Sequence, residues 1–215
     1  QSGGQTVELD GRARAGAAFG QPPQEPTDIA RDLIVNSDFK EPLSREWRMF
    51  NEQGADGGVV DGAIEMVVDQ GLRAARFHRT GAQGNHCETI LEQTIDQPLP
   101  DPLTSLRVRA TVKVRHQGLS GGGYLSSEYP LMIRVTYRDV YDSEAEWIQG
   151  FYYQNARGNP TTYGLQIPHD SWYLFESDNL LENLAIRPYR VMQMRVYASG
   201  WDYDSLISDL NLIVE

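Results

Sequence analysis

From Leu33 onward, apolar and polar residues alternate with a period of two, and short runs of Gly, Pro, Asn and Asp separate the alternating stretches. Residues 105–116, SLRVRATVKVRH, are the clearest case. Leu106, Val108, Ala110, Val112 and Val114 fall on one face, and Arg107, Arg109, Thr111, Lys113 and Arg115 on the other. In a strand successive side chains point to opposite faces, so this pattern predicts a strand with one buried side. GAIEMVVD puts Ile64, Met66 and Val68 on one face, and GLRAARFHR alternates through Leu72 and Ala74. LMIRVTYRDV, EWIQGFYYQ, YRVMQMRVYASG and SLISDLNLIVE behave in the same way. HQGLSGGG, NARGNP and QPLPDP supply the breaks. No longer stretch keeps a helical period, and only SDNLLENLA, residues 177–185, predicts a short helical turn.

About ten strands with turns between them predict an all-β fold, an antiparallel β-sandwich of the jelly-roll kind. An α/β fold needs helices between its strands, and the pattern supplies none. Residues 1–32 read differently. QTVELDGRARAGAAFG is poor in large apolar groups, and QPPQEPTD carries Pro22, Pro23 and Pro26, so the segment predicts an N-terminal arm and an extended linker ahead of a sandwich at 33–215. The arm suits either a solvated tail or a strand that adds to the sheet of another copy.

Composition narrows the partners. The chain has 215 residues, of which 40% are hydrophobic, enough for a real core. Its formal net charge of −11 argues against nucleic acid and against anionic membrane surfaces, both of which need clustered Lys and Arg. No run reaches the roughly 18 apolar residues of a membrane span. One cysteine, Cys87, excludes an internal disulfide framework. The chain begins at Gln1, which suits an exported protein whose leader has been removed.

Catalytic motifs fail in context. GLSGG, Gly118–Gly122, matches a nucleophile elbow by letter, but that device needs a helix after the serine, and a Gly-rich loop follows. Cys87 and His86 are adjacent, so in a strand they point apart, and a buried thiol is expected. The four histidines show no zinc spacing. Aromatic residues instead suggest a ligand surface. Trp147, Phe151 and Tyr153 share one face with Gln149, while Ile148 and Tyr152 share the other. Rings that stack on the apolar face of a pyranose beside amides that bond its hydroxyls suit a sugar; the same rings also suit a sandwich core. Trp147, Gln149, Tyr153, Trp201 and Tyr203 are the candidate ligand-binding residues.

LIVNSDFKEPLSREW, residues 33–47, resembles the start of the jelly-roll carbohydrate-binding modules of the galactose-binding-like superfamily. Those modules open on a hydrophobic strand, then Asn-Gly-Asp-Phe-Glu or a variant, then a Trp after a short gap. YDSLISDLNLIVE is similar to their closing strand, and ETILEQTID followed by LRVRATVKV to their central passage. Ser37 stands where the family has Gly, Lys40 where it has an acid, and Ser208 where many members have Asp. The resemblance implies a non-catalytic, extracellular or cell-surface domain that binds a glycan or polysaccharide. It also implies a structural calcium held by Asp38, Glu41 and Asp209. Two other function classes stay open: a subunit of a cell-surface assembly or filament that docks on copies of itself through residues 1–32, and a glycosidase or lyase on the same scaffold.

Overall fold

The computed structural model describes residues 29–54 and 60–215. The expected arm and its docking on a second copy fall on residues 1–28, outside the described residues. Among the described residues twelve strands form: β1 (Arg31–Asp32), β2 (Arg48–Glu52), β3 (Ala63–Asp69), β4 (Leu72–Arg79), β5 (Cys87–Pro98), β6 (Leu106–Gln117), β7 (Leu131–Asp139), β8 (Glu144–Tyr152), β9 (Gly164–Gln166), β10 (Tyr173–Glu176), β11 (Pro188–Gly200) and β12 (Tyr203–Val214). One four-residue helix, α1 (Leu180–Asn183), is capped by the Asn179 side chain, which accepts from Leu181 N. It sits where the short helical turn was expected.

The strands build two six-stranded sheets, so the chain is an all-β sandwich of the jelly-roll kind. Sheet I runs β10-β6-β12-β4-β3, with β1 also on β12. Sheet II runs β2-β5-β11-β7-β8-β9, antiparallel except for the last pair. Among the described residues the first strand of the sandwich is β1, whose Arg31 pairs with Val214. No helix among the described residues is long and apolar enough to cross a membrane.

The inward faces supply the main core. Leu106, Val108, Ala110, Val112 and Val114 of β6 all enter it, as their alternation predicts, and meet Leu131, Ile133 and Val135 of β7 and Val196 and Ala198 of β11. Lys113 departs from the pattern. It points outward as expected, yet it is only 3% exposed, because Asp69, Asp170 and the Trp172 ring close over its ammonium. The opening motif is part of the core as well. Phe39 and Trp47 are buried with ring centroids 5.9 Å apart, while Asn36 closes the turn between them through two bonds to the Glu41 backbone.

Candidate functional site

Sheet II buries apolar groups on both faces. Its outward positions are Arg48 and Phe50 of β2, Glu88, Ile90 and Glu92 of β5, Arg195 and Tyr197 of β11, Met132 and Arg134 of β7, and Ile148 and Tyr152 of β8. The register aligns Phe50, Ile90, Tyr197, Met132 and Gly150 in one row across five strands. The adjacent row is Arg48, Glu92, Arg195, Arg134 and Ile148. Ile90, Tyr129, Met132, Tyr152 and Tyr197 form a second buried cluster, outside the sandwich.

The segment between β6 and β7 covers this cluster, and Tyr129 pins it down. A Cβ at Gly122, Gly150 or Gly164 would lie 2.3–2.5 Å from the Tyr129 ring, so the ring rests on three residues that lack side chains. Tyr129 also bonds Ser126 through its hydroxyl, at 2.5 Å, and accepts Ser199 N through its carbonyl, at 3.0 Å. Ser120 of the GLSGG stretch bonds Asn155 and Arg157 N, which makes it part of the loop's scaffold. Cys87 is a buried free thiol, as expected.

Beside the covered cluster a recess of about 340 Å³ opens on the sheet face. Leu125, Met132, Ile148, Tyr163 and Tyr197 contribute its apolar lining, and His86, Glu88, Glu128 and Arg134 its charged and titratable one. The polar groups differ in how well they are satisfied. His86 Nδ1 and Glu128 Oε1 are 2.6 Å apart, and that hydrogen bond raises the imidazole's pKa above its ordinary value. Desolvation raises the Glu88 carboxyl, whose hydrogen bond is a long one of 3.5 Å from Ser199 Oγ. Arg134 donates from Nη2 to the Tyr197 hydroxyl at 3.0 Å and lies over that ring, but its buried Nε has no partner. Burial pushes Tyr197 up to about 12. Further along the face, Arg48 and Arg195 flank Phe50 at 4.3 and 5.6 Å while both bond Glu92.

The residues singled out in the sequence do not converge here. Trp147 and Gln149 share a separate groove of about 550 Å³ between β8 and β10, where Trp147 stacks on Phe175 at 6.5 Å. The odd-numbered face of β8 thus points into the sandwich, with Phe151 fully buried. Tyr153 lies on His169, with ring centroids 4.0 Å apart. Trp201, 38% exposed, is in the β11–β12 turn, and Tyr203 is buried against Thr89. The recess uses the even-numbered face, Ile148, together with Arg134, Tyr197, His86, Glu88, Glu128 and Tyr163, which the sequence reading missed. Tyr197 was available as a signal, since it shares its outward face with Arg195 in YRVMQMRVYASG.

The three acids expected to hold calcium are not gathered into a cage. Asp38 pairs with Lys40 and Glu41 with Arg45 at 2.9 Å, so two of them already carry a cation from their own loop. Among the described residues no group of three or more His, Cys, Asp or Glu is disposed to hold a metal ion. These residues, as they stand, do not fit the ion.

No family model matches the chain, and no curated protein does. Solved structures do, at low identity. The enzymatically active domain of tailspike protein 4 from bacteriophage CBA120 is similar over 84% of this chain, with a TM-score of 0.50 and 9% identity; the chain spans 21% of that one. The family 11 carbohydrate-binding module from Clostridium thermocellum, in complex with a β-1,3-1,4-mixed-linked tetrasaccharide, covers 85% of this chain and 94% of its own, with a TM-score of 0.48 and 9% identity. A xylan-binding domain of family 22 from Paenibacillus barcinonensis covers 87% and 97%, with a TM-score of 0.45 and 10% identity. At such identities the likeness is one of fold, that of the β-sandwich, and function must be read from the chain's own site.

Proposed function

We propose that this chain is a non-catalytic carbohydrate-binding domain whose glycan lies on the outer face of sheet II, in the recess beside Tyr129. One observation carries the reading. The half-exposed ring of Tyr163 and polar side chains with bonding capacity to spare, Glu88 and Arg134 among them, line one opening outside the core, and a sugar offers both an apolar ring face and hydroxyls. The motif resemblance of residues 33–47 and 203–215 to glycan-binding modules supports it independently.

The carboxylates of the recess support binding without chemistry. Hydrolysis of a glycosidic bond needs a carboxylic acid and a second free carboxylate. Glu128 is held by His86, which leaves Glu88 without a free partner. Such a domain acts outside the cell, where polysaccharide is met.

The test is isothermal titration of the full chain with soluble polysaccharides, beside Tyr163→Ala and Trp147→Ala. Binding should be lost in the first variant and kept in the second. Failure to bind any glycan would sink the proposal, and release of new reducing ends would sink its non-catalytic part.

A second reading, assembly with other copies, is favoured by the edge of β8. Pairing with β9 covers only Gly150–Tyr152, so among the described residues positions 144–149 lack a neighbour on that side. Light scattering of the full chain tests it, because a monomer at high concentration excludes self-assembly.

A further inference from the structure

We infer that the recess selects neutral sugars over charged ones, with Glu88 and Arg134 acting together as a donor and acceptor pair. This rests on the reading above and sharpens it.

The two side chains line one recess, yet no ion pair within 4.0 Å joins them; the one Arg134 makes is a loose contact of 3.7 Å with Glu146. Each is also short of partners. Arg134 Nη1 makes only that loose contact on a side chain 23% exposed, and Glu88 accepts one long hydrogen bond. Opposite charges that are both under-satisfied, and held apart, leave room for a group that donates to one and accepts from the other. A hydroxyl does both, and two neighbouring hydroxyls of a pyranose do so with a fixed spacing.

Charged ligands fit worse. A uronate carboxylate could pair with Arg134, but that guanidinium already faces Glu146, and the incoming charge would meet Glu88 in a partly desolvated space. An ammonium would satisfy Glu88 and leave Arg134 Nη1 with only its loose contact, with a like charge beside it. His86 and Glu128 bond each other at 2.6 Å, so those two atoms are engaged and do not compete for the ligand. The overall charge of −11 also disfavours polyanions at long range.

The experiment is titration calorimetry of the full chain at constant ionic strength and pH 7 with three hexasaccharides: a neutral β-1,4-glucan or β-1,4-xylan, an oligogalacturonate and a fully deacetylated glucosamine oligomer. The neutral probes should bind at least roughly tenfold more tightly than either charged one, the size expected of one charge-assisted hydrogen bond. Glu88→Gln should weaken the neutral ligand and narrow its margin over the uronate. Arg134→Gln should narrow the margin over the amino sugar instead. Melting curves confirm that each variant folds, and Arg134→Lys is the fallback that keeps the charge but loses the fork. Tighter binding of either charged probe, or margins unchanged in both variants, overturns the inference while leaving glycan binding intact. Silence toward all three probes overturns both.

Discussion

Replacing Tyr129 by Ala removes a ring that has no exposed surface and whose floor is made of glycine. Gly122, Gly150 and Gly164 have no side chains to move into the space, so the cavity should stay nearly whole. Burying an aromatic side chain and then deleting it costs about 3–5 kcal/mol, and sites that relax poorly fall at the upper end. We therefore expect about 4 kcal/mol for Tyr129→Ala. Tyr129→Phe loses only the hydroxyl bond to Ser126 and should cost about 1 kcal/mol. The decisive measurement is a double-mutant cycle with Gly150→Ala. In the native background the new Cβ lies 2.3 Å from Tyr129 Cδ2, an overlap that costs about 1–3 kcal/mol. With Tyr129→Ala the atom it strikes is gone, and the lost glycine freedom in the unfolded chain leaves the substitution neutral or slightly stabilising. Urea unfolding of the four proteins, with linear extrapolation, should give a coupling of about 2 kcal/mol. Equal costs for Gly150→Ala in both backgrounds would refute the ring-on-glycine account.

Other expectations follow from single contacts. His86 has a raised pKa in the folded state, so its bond to Glu128 contributes fully below the ordinary value of 6.5 and is lost as pH rises through the folded value; a melting-temperature profile from pH 6 to 9 should fall, and His86→Gln should flatten it. Lys113→Met leaves Asp69 with Arg115 as its remaining cation and should cost about 3 kcal/mol, part of it restored by adding Asp69→Leu, both read by denaturant unfolding. Trp147→Ala should cost about 2–3 kcal/mol of stability through its lost contact with Phe175, with glycan affinity unchanged in the same titration.

The fold was readable because β6 and its neighbours have one wet face and one dry face, so a period of two names the core directly. Phe39 and Trp47 were readable as a motif for a similar reason, since their turn is closed by local bonds around Asn36. The recess was not. In EWIQGFYYQ both faces carry large apolar groups, and alternation separates the faces without saying which points inward. That is decided by what packs on each face, Phe175 of β10 against the odd-numbered side and Tyr129 of the cover against the even-numbered one. Lys113 shows the same limit. Its alternation places it outward correctly, but its burial depends on Asp69 at the end of β3 and Asp170 in the β9–β10 connection, both distant in sequence.

The end of the sandwich that holds the recess is organised by a group with no sequence signature at all. Arg79 is 1% exposed and pairs with no carboxylate among the described residues; it donates instead to the carbonyls of Val60, Asn85, Gly200 and Trp201. Those carbonyls belong to three connections, so one guanidinium fixes the loop carrying His86 against the β11–β12 turn. The hydrogen bond that His86 makes to Glu128 raises the imidazole's pKa, desolvation and the Arg79 charge lower it by less, and the net shift is upward. The short His86–Glu128 contact then ties that loop to the cover over Tyr129. The recess thus keeps its shape through backbone carbonyls and one coupled pair, and this leaves Glu88 as an acceptor and Arg134 as a donor with bonding capacity to spare.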